Sequence, residues 1–189
     1  MRKKHRDSQK RIYIPNVCYF LTTNTLQRYP YFMEPIFCEI FMENLKLCKE
    51  LKGFELYGWF LGYDHIHLQI KSGECFSYSG IMHFLKRNFS HNINLIMGYI
   101  EGADNYPRLQ FRGILKKYRT QFLQKYPHSH PFPQFRWQKS YHDHYIRDEH
   151  DFMIHLKYLE YQILKHNMSK DWKYTFLNPE YEDLLDDSY

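Results

Sequence analysis

The amino-acid sequence predicts an α+β domain in which helices cover one face of an antiparallel sheet. Short runs rich in aromatic and β-branched residues alternate with longer runs whose apolar residues recur at helical spacing. Their coarse order is β-α-β-β-α-insert-β-α, the pattern of a ferredoxin-like split βαβ unit. The chain has 189 residues, 43% of them hydrophobic, enough for one core of ordinary size with little left for a second.

Residues 1–14 read as a basic flexible arm, closed by Pro15. Val17 to Asn24, rich in aromatic, β-branched and Thr residues, reads as the first strand. From Pro35 to about Lys52, Ile36, Ile40, Phe41, Leu45, Leu47 and Leu51 follow a helical spacing, and Gly53 stands in the usual stop position. Phe54–Tyr63 and His65–Lys71 read as the next two strands, with Gly62-Tyr63-Asp64 as the bend between them. A second helix follows, capped by Ser77 or Ser79, with Ile81, Phe84, Leu85, Phe89 and Ile93 on its apolar face. Residues 99–134 form an insert broken up by prolines, with a basic helix as one reading of 111–126. Phe135–Ile146 reads as a strand, and Asp148 caps a final helix running to about Asn167. The expected division is a single domain over 15–168 and an acidic extension over 169–189.

The formal net charge is +5, unevenly spread. Residues 178–189 hold five acids and no Lys or Arg, which leaves 26 basic against 16 acidic side chains in residues 1–177. A basic body suits a polyanion partner, with the acidic tail as a shield for the empty surface. No stretch of about 18 uncharged apolar residues suggests a membrane span, and no apolar signal core follows the basic start, so a cytoplasmic protein is expected. Cys18, Cys38, Cys48 and Cys75 are too widely spaced for a zinc knuckle and fit reduced thiols.

Two short motifs about ninety residues apart carry the chemistry. In a strand, alternate residues share a face, so His65 and His67 present both imidazoles on one side. In a helix, residues four apart are neighbours, so Tyr158 and Gln162 also share a side. Two imidazoles and an amide oxygen can hold a divalent ion, and a phenol beside that ion can attack phosphate. Neutral ligands leave the ion its full charge; the set suits Mg²⁺ or Mn²⁺, its nitrogens favouring Mn²⁺. With the helix core set by Phe152, Leu156, Leu159 and Ile163, Gln162 falls at the border of the stripe with Tyr158 beside it, and Tyr161 points away. The competing reading of Tyr158 is a half-buried packing residue in a chain with 18 tyrosines. Of the other His-x-His pairs, His128/His130 lies in a loop without a framework, whereas His142/His144 lies on a strand within reach of substrate or ion. Lys86, Arg87, Arg136 and Lys139 flank these elements as candidate DNA contacts, with Trp137 or Phe135 to stack on an unpaired base. Arg112, Lys116, Lys117 and Arg119 would extend a phosphate track.

Asp64-His65-Ile66-His67-Leu68 resembles the metal motif of the HUH single-strand nucleases. One later helical Tyr with Gln four residues on resembles the single-tyrosine transposases of insertion sequences. Trp137-Gln138, the run Tyr141–Glu149, His155-Leu156-Lys157-Tyr158 and Ile81–Phe89 resemble the REP-associated tyrosine transposases, so the likeness covers roughly 17–97 and 135–167. The resemblance implies an HUH nuclease fold and metal-dependent cutting and rejoining of single-stranded DNA, often beside a hairpin, through a 5′-phosphotyrosine. It implies His65, His67 and Gln162 as metal ligands and Tyr158 as nucleophile. The chain departs from the family at Tyr63, where Pro is usual, and at Gln162-Ile163, where the REP-associated branch commonly has Asn-Pro. Both a homodimer and a monomer stay open, since the two branches differ in this. The alternatives are a domesticated, non-cleaving DNA- or RNA-binding module and an HUH replication initiator.

Overall fold

The computed structural model describes residues 13–101 and 109–187. All but the last two residues of the expected basic arm therefore lie outside the described residues. Four strands form one sheet: β1 (Cys18–Asn24), β2 (Glu55–Leu61), β3 (His65–Lys71) and β4 (His142–Tyr145). Their order is β2-β3-β1-β4 and every pairing is antiparallel. The α+β, ferredoxin-like expectation is met.

The helices are α1 (Pro35–Lys52), α2 (Tyr78–Ile96), α3 (Leu109–Lys125) and α4 (Glu149–Lys165). Pro35 starts α1 at a position that needs no N–H donor, and Gly53, at φ +60°, closes it in the left-handed conformation. Ser77 caps α2 through Gly80 N–H, and Asp148 caps α4 through Asp151 N–H at 2.8 Å. Within the insert, the helix read over 111–126 is present as α3, which buries Phe111, Leu115 and Phe122 against the rest of the core. Lys125 and Tyr126 at its end reach the buried Glu34 carboxylate at the start of α1, at 2.8 and 2.6 Å.

One part of the expectation needs correction: the helices do not all cover one face. Tyr19, Leu21, Trp59, Leu61, Ile66, Leu68 and Ile70 face a large aromatic core with α1, α2 and α3. Cys18, Phe20, Tyr57 and Phe60 point the other way, into a smaller cluster with Phe152 and Leu159 of α4. The alternation of β-strands is the reason, because each strand here has an apolar or neutral set on both sides. Helix α4 sits so close to β2 that a Cβ on Gly58 would lie 2.8 Å from the side chains of Leu156 and Leu159.

The last expected strand is also shorter than the run Phe135–Ile146. At Phe135 the Asn94 side chain of α2 takes both backbone groups, accepting from the N–H at 2.8 Å and donating to the carbonyl at 3.1 Å. Only an isolated bridge, Trp137 to Thr25, joins this stretch to the sheet before β4 begins.

Residues 174–186 run along the outer edge of β2 rather than over the basic surface. Leu61 N–H donates to Tyr174, Phe176 N–H donates to Trp59, and Leu56 exchanges bonds with the backbone and carboxylate of Asp186. Asp186 also pairs with Lys49 at 2.7 Å. The acidic tail therefore lies on the edge opposite β4. No helix of the described residues is long and apolar enough to cross a membrane. All four cysteines are free, and Cys18, Cys38 and Cys48 are buried.

Candidate active site

His65 and His67 lie on β3, an interior strand, and both are buried. Their rings sit 4.9 Å apart, on the α4 side of the sheet. Each imidazole has one nitrogen engaged. Nδ1 of His65 donates to Asp64 Oδ1 at 2.6 Å, since a carboxylate can only accept. Burial acts to raise the Asp64 carboxyl, but the hydrogen bond and charge of His65 and the charge of Arg28 outweigh it and its pKa is lowered. Nδ1 of His67 pairs with Thr22 Oγ1 at 2.7 Å, which follows from the β1–β3 register placing Thr22 opposite His67. Both bonds are made by Nδ1, so Nε2 of each ring is the nitrogen left for another partner. Gly62 matters here for space, because a side chain at that position would collide with the His65 ring.

Burial drives the His67 pKa down to about 2, helped by neighbouring His65, Lys165 and His166 and opposed by the Gln162 amide. His67 is therefore neutral at physiological pH, the state a metal ligand needs. Gln162 of α4 is fully buried. Its Nε2 donates to the Tyr158 carbonyl at 2.8 Å, and its Oε1 has no hydrogen-bond partner. A buried carbonyl oxygen without a donor is costly unless something else occupies its lone pairs. Oε1 of Gln162 and the two imidazoles are donor types that suit a divalent cation.

Tyr158 is half-buried. Its ring packs edge-on against His67 at 5.4 Å and Phe20 at 5.7 Å, and its hydroxyl accepts from Lys165 Nζ at 2.7 Å. A pocket of about 170 Å³ lined by Phe20, Ile154, His155 and Tyr158 opens beside it. Tyr161 is 56% exposed, as expected of a residue pointing away from the stripe.

The five DNA-contact candidates come together elsewhere. Lys86, Arg87, Arg136, Trp137 and Lys139 all line one open cleft of about 600 Å³ between α2 and the 135–141 stretch. The Trp137 indole donates to the Lys86 carbonyl at 3.2 Å, and Lys86 Nζ donates to the Gln138 carbonyl at 3.0 Å. Between the lining residues Trp137 and Lys139, the Gln138 side chain meets Asn24, the register partner of His65. Phe135 is not a stacking platform: its ring is buried among Tyr31, Phe89 and Trp137. None of the α3 cations Arg112, Lys116, Lys117 and Arg119 lines this cleft.

His130 has a structural role, bonding to the Met97 carbonyl at 3.0 Å. His144 and His155 stack at 4.6 Å with Asp151 between them, a group whose ligand atoms lie within 4.8 Å of one another and could hold an ion. One nitrogen of each histidine and the Asp151 carboxylate are engaged internally. Asp151 accepts from His144 at 3.0 Å and from the Arg147 N–H at 3.1 Å, and His155 Nδ1 donates to the Asp151 carbonyl at 2.8 Å. The group clamps β4 to α4.

Sequence reasoning missed Thr22, Asp64, Lys165 and His166. His166, whose ring stands 4.7 Å from that of His65, follows the helix end. Lys165 had a visible signal, because Tyr158, Gln162 and Lys165 follow an i, i+4, i+7 spacing along one side of α4. Thr22 had none, since its role depends on strand register.

No family model matches the chain. A Haemophilus influenzae protein described as a candidate REP-associated tyrosine transposase is 35% identical over 96 residues, which is 44% of this chain and 52% of that one. The chain thus matches about half the length of that relative. A solved REP-associated tyrosine transposase bound to a REP hairpin superposes with a TM-score of 0.64 and 18% identity, over 91% of this chain and 83% of that one. The resemblance read from the motifs is borne out: the chain is similar in sequence to one REP-associated tyrosine transposase and shares the fold of another.

Proposed function

We propose that this chain is a transposase-like endonuclease and strand transferase that cuts and rejoins single-stranded DNA beside a hairpin through a 5′-phosphotyrosine. The observation that carries this reading is a buried His–His–Gln set beside the Tyr158 ring, with Gln162 Oε1 left without a partner. His65, His67 and Gln162 would hold the ion, and Mg²⁺ or Mn²⁺ bound there supplies polarisation of a phosphoryl oxygen.

The chain's own residues do the rest. Tyr158 Oη attacks phosphorus, a P–Oη bond forms, and the P–O3′ bond breaks with its electron pair on O3′. The phenol proton leaves to water and O3′ takes one up, so no net proton is released. The tyrosyl ester keeps the bond energy, so a 3′-hydroxyl can reverse the step without ATP. Asp64 and Thr22 orient the two imidazoles from behind, as partners of ligating histidines usually do. The cleft of Lys86, Arg87, Arg136, Trp137 and Lys139 would take the unpaired strand, with cations on its phosphates and the half-buried indole against a base. The similarity to a transposase that was solved on a REP hairpin supports a hairpin substrate.

The test is a denaturing protein gel after incubation with Mn²⁺ and a pool of labelled single-stranded hairpin DNAs. A labelled, metal-dependent band that disappears in Tyr158→Phe is the expected result. Tight DNA binding without any band would instead support the non-cleaving binding module, and a band that survives Tyr158→Phe would remove Tyr158 as nucleophile.

A further inference from the structure

Resting on the proposed Tyr158 chemistry, we propose that Lys165 is a second catalytic residue, an ammonium that steadies the charge on the tyrosine oxygen in cutting and in rejoining. Its Nζ lies 2.7 Å from the Tyr158 hydroxyl and 4.6 Å from the centre of its ring. The aromatic faces that pack on that ring, Phe20 and His67, leave the hydroxyl itself to Lys165. The placement follows from the helix. Residues 158 and 165 are seven apart, two turns along the same side of α4, and Lys165 sits in the last turn, where a cation is favoured by the backbone carbonyls.

A phenol of ordinary pKa about 10 loses its proton as the P–Oη bond forms and must become a phenolate leaving group when that bond breaks. The ion expected at His65, His67 and Gln162 acts on the phosphate oxygens. It leaves the charge on Oη to be met by another group. An ammonium already bonded to that oxygen meets it without rearrangement. Lys165 keeps its proton throughout; the phenol proton goes to water and O3′ receives one from water, so the step balances without a further reactant.

A lysine at a helix C-terminus can also serve the helix alone, and the experiment separates the two roles. Lys165→Met keeps the stem and removes the charge; Lys165→Arg keeps a charge. Single-turnover adduct formation at saturating hairpin DNA should fall about ten- to thirtyfold in Lys165→Met, less than for a fully buried donor because Lys165 is exposed. DNA affinity should stay within about twofold, and Lys165→Arg should recover part of the rate. Replacing Tyr158 with 3-fluorotyrosine, whose phenolate is more stable, should restore rate to Lys165→Met more than it accelerates the parent. The fluorine NMR signal of that residue, free of DNA and metal, should also move on Lys165→Met. An unchanged rate in Lys165→Met, or a loss that fluorotyrosine does not relieve, overturns the assignment. The parent protein is the internal control: no adduct from it overturns the nuclease reading and this one together, whereas an adduct with an insensitive Lys165→Met removes Lys165 alone.

Discussion

The two faces of one sheet are built to opposite rules. On the side of α1, α2 and α3, β3 contributes Ile66, Leu68 and Ile70 to a core of aromatic and aliphatic side chains. On the side of α4, the intervening residues His65, His67 and Gln69 are just as buried but polar. A strand period of two lets seven residues serve both purposes, one as the foundation and the other as the working surface. Buried polar atoms without a partner occur on both sides, Trp59 Nε1 and Asn92 Oδ1 toward α1 and α2, Gln69 Oε1, Asn24 Oδ1 and Gln162 Oε1 toward α4, so what separates the faces is the residue type that β3 sends to each. On the proposed function, the first face supplies most of the folding stability and the second holds the cutting site.

That contrast can be broken by single substitutions. The largest effect is expected from His67→Ala: adduct formation should fall about a thousandfold or more, several kcal/mol of barrier, while thermal unfolding barely moves. A large loss of stability with retained cutting would invert the comparison. Leu68→Ala, the next residue on the same strand, should do the reverse. It should cost about 2–5 kcal/mol in urea unfolding, with the rate per folded molecule preserved. Thr22→Val keeps shape and removes the partner of His67 Nδ1; calorimetric titration with Mn²⁺ should show affinity reduced about ten- to a hundredfold.

The smallest effect concerns the clamp at the margin of the working face. Burial acts to raise the Asp151 carboxyl, but hydrogen bonds from His144 and the Arg147 N–H, with the charges of His144 and His155, outweigh it and its pKa is lowered. A lowered carboxylate stabilises the fold above its unfolded pKa of about 4, and the contribution disappears as pH falls through the folded value. Asp151→Asn should therefore cost less than about 1 kcal/mol at pH 7, with the gap from the parent closing below about pH 4 in melting curves. A gap that widens in acid would contradict the sign.

Much of this is legible in the sequence alone, for reasons that are local. Pro35 and Gly53 bracket α1, Asp148 caps α4, and the alternation of His65 and His67 needs only a strand. The gathering of five candidate DNA contacts in one cleft does not follow from their spacing, although each residue is recognisable by type. What escapes the sequence is set by long-range pairing. Thr22 meets His67 only because β1 and β3 align in one register, and Asn94 cuts the last strand short from a helix more than 40 residues upstream. The placement of α4 on the opposite face is hidden because Phe152 and Leu159 are apolar enough to have packed on either side.

The strip of chain along β2 has a consequence for self-association. An exposed sheet edge offers a row of unpaired backbone groups on which a second molecule can add its own strand. Here Leu56, Trp59 and Leu61 already bond to residues 174–186 of the same chain, and Asp186 is anchored to Lys49. A second copy cannot extend the sheet from this side without first peeling that strip away. Any pair of these molecules must meet through another surface or trade the strip between them.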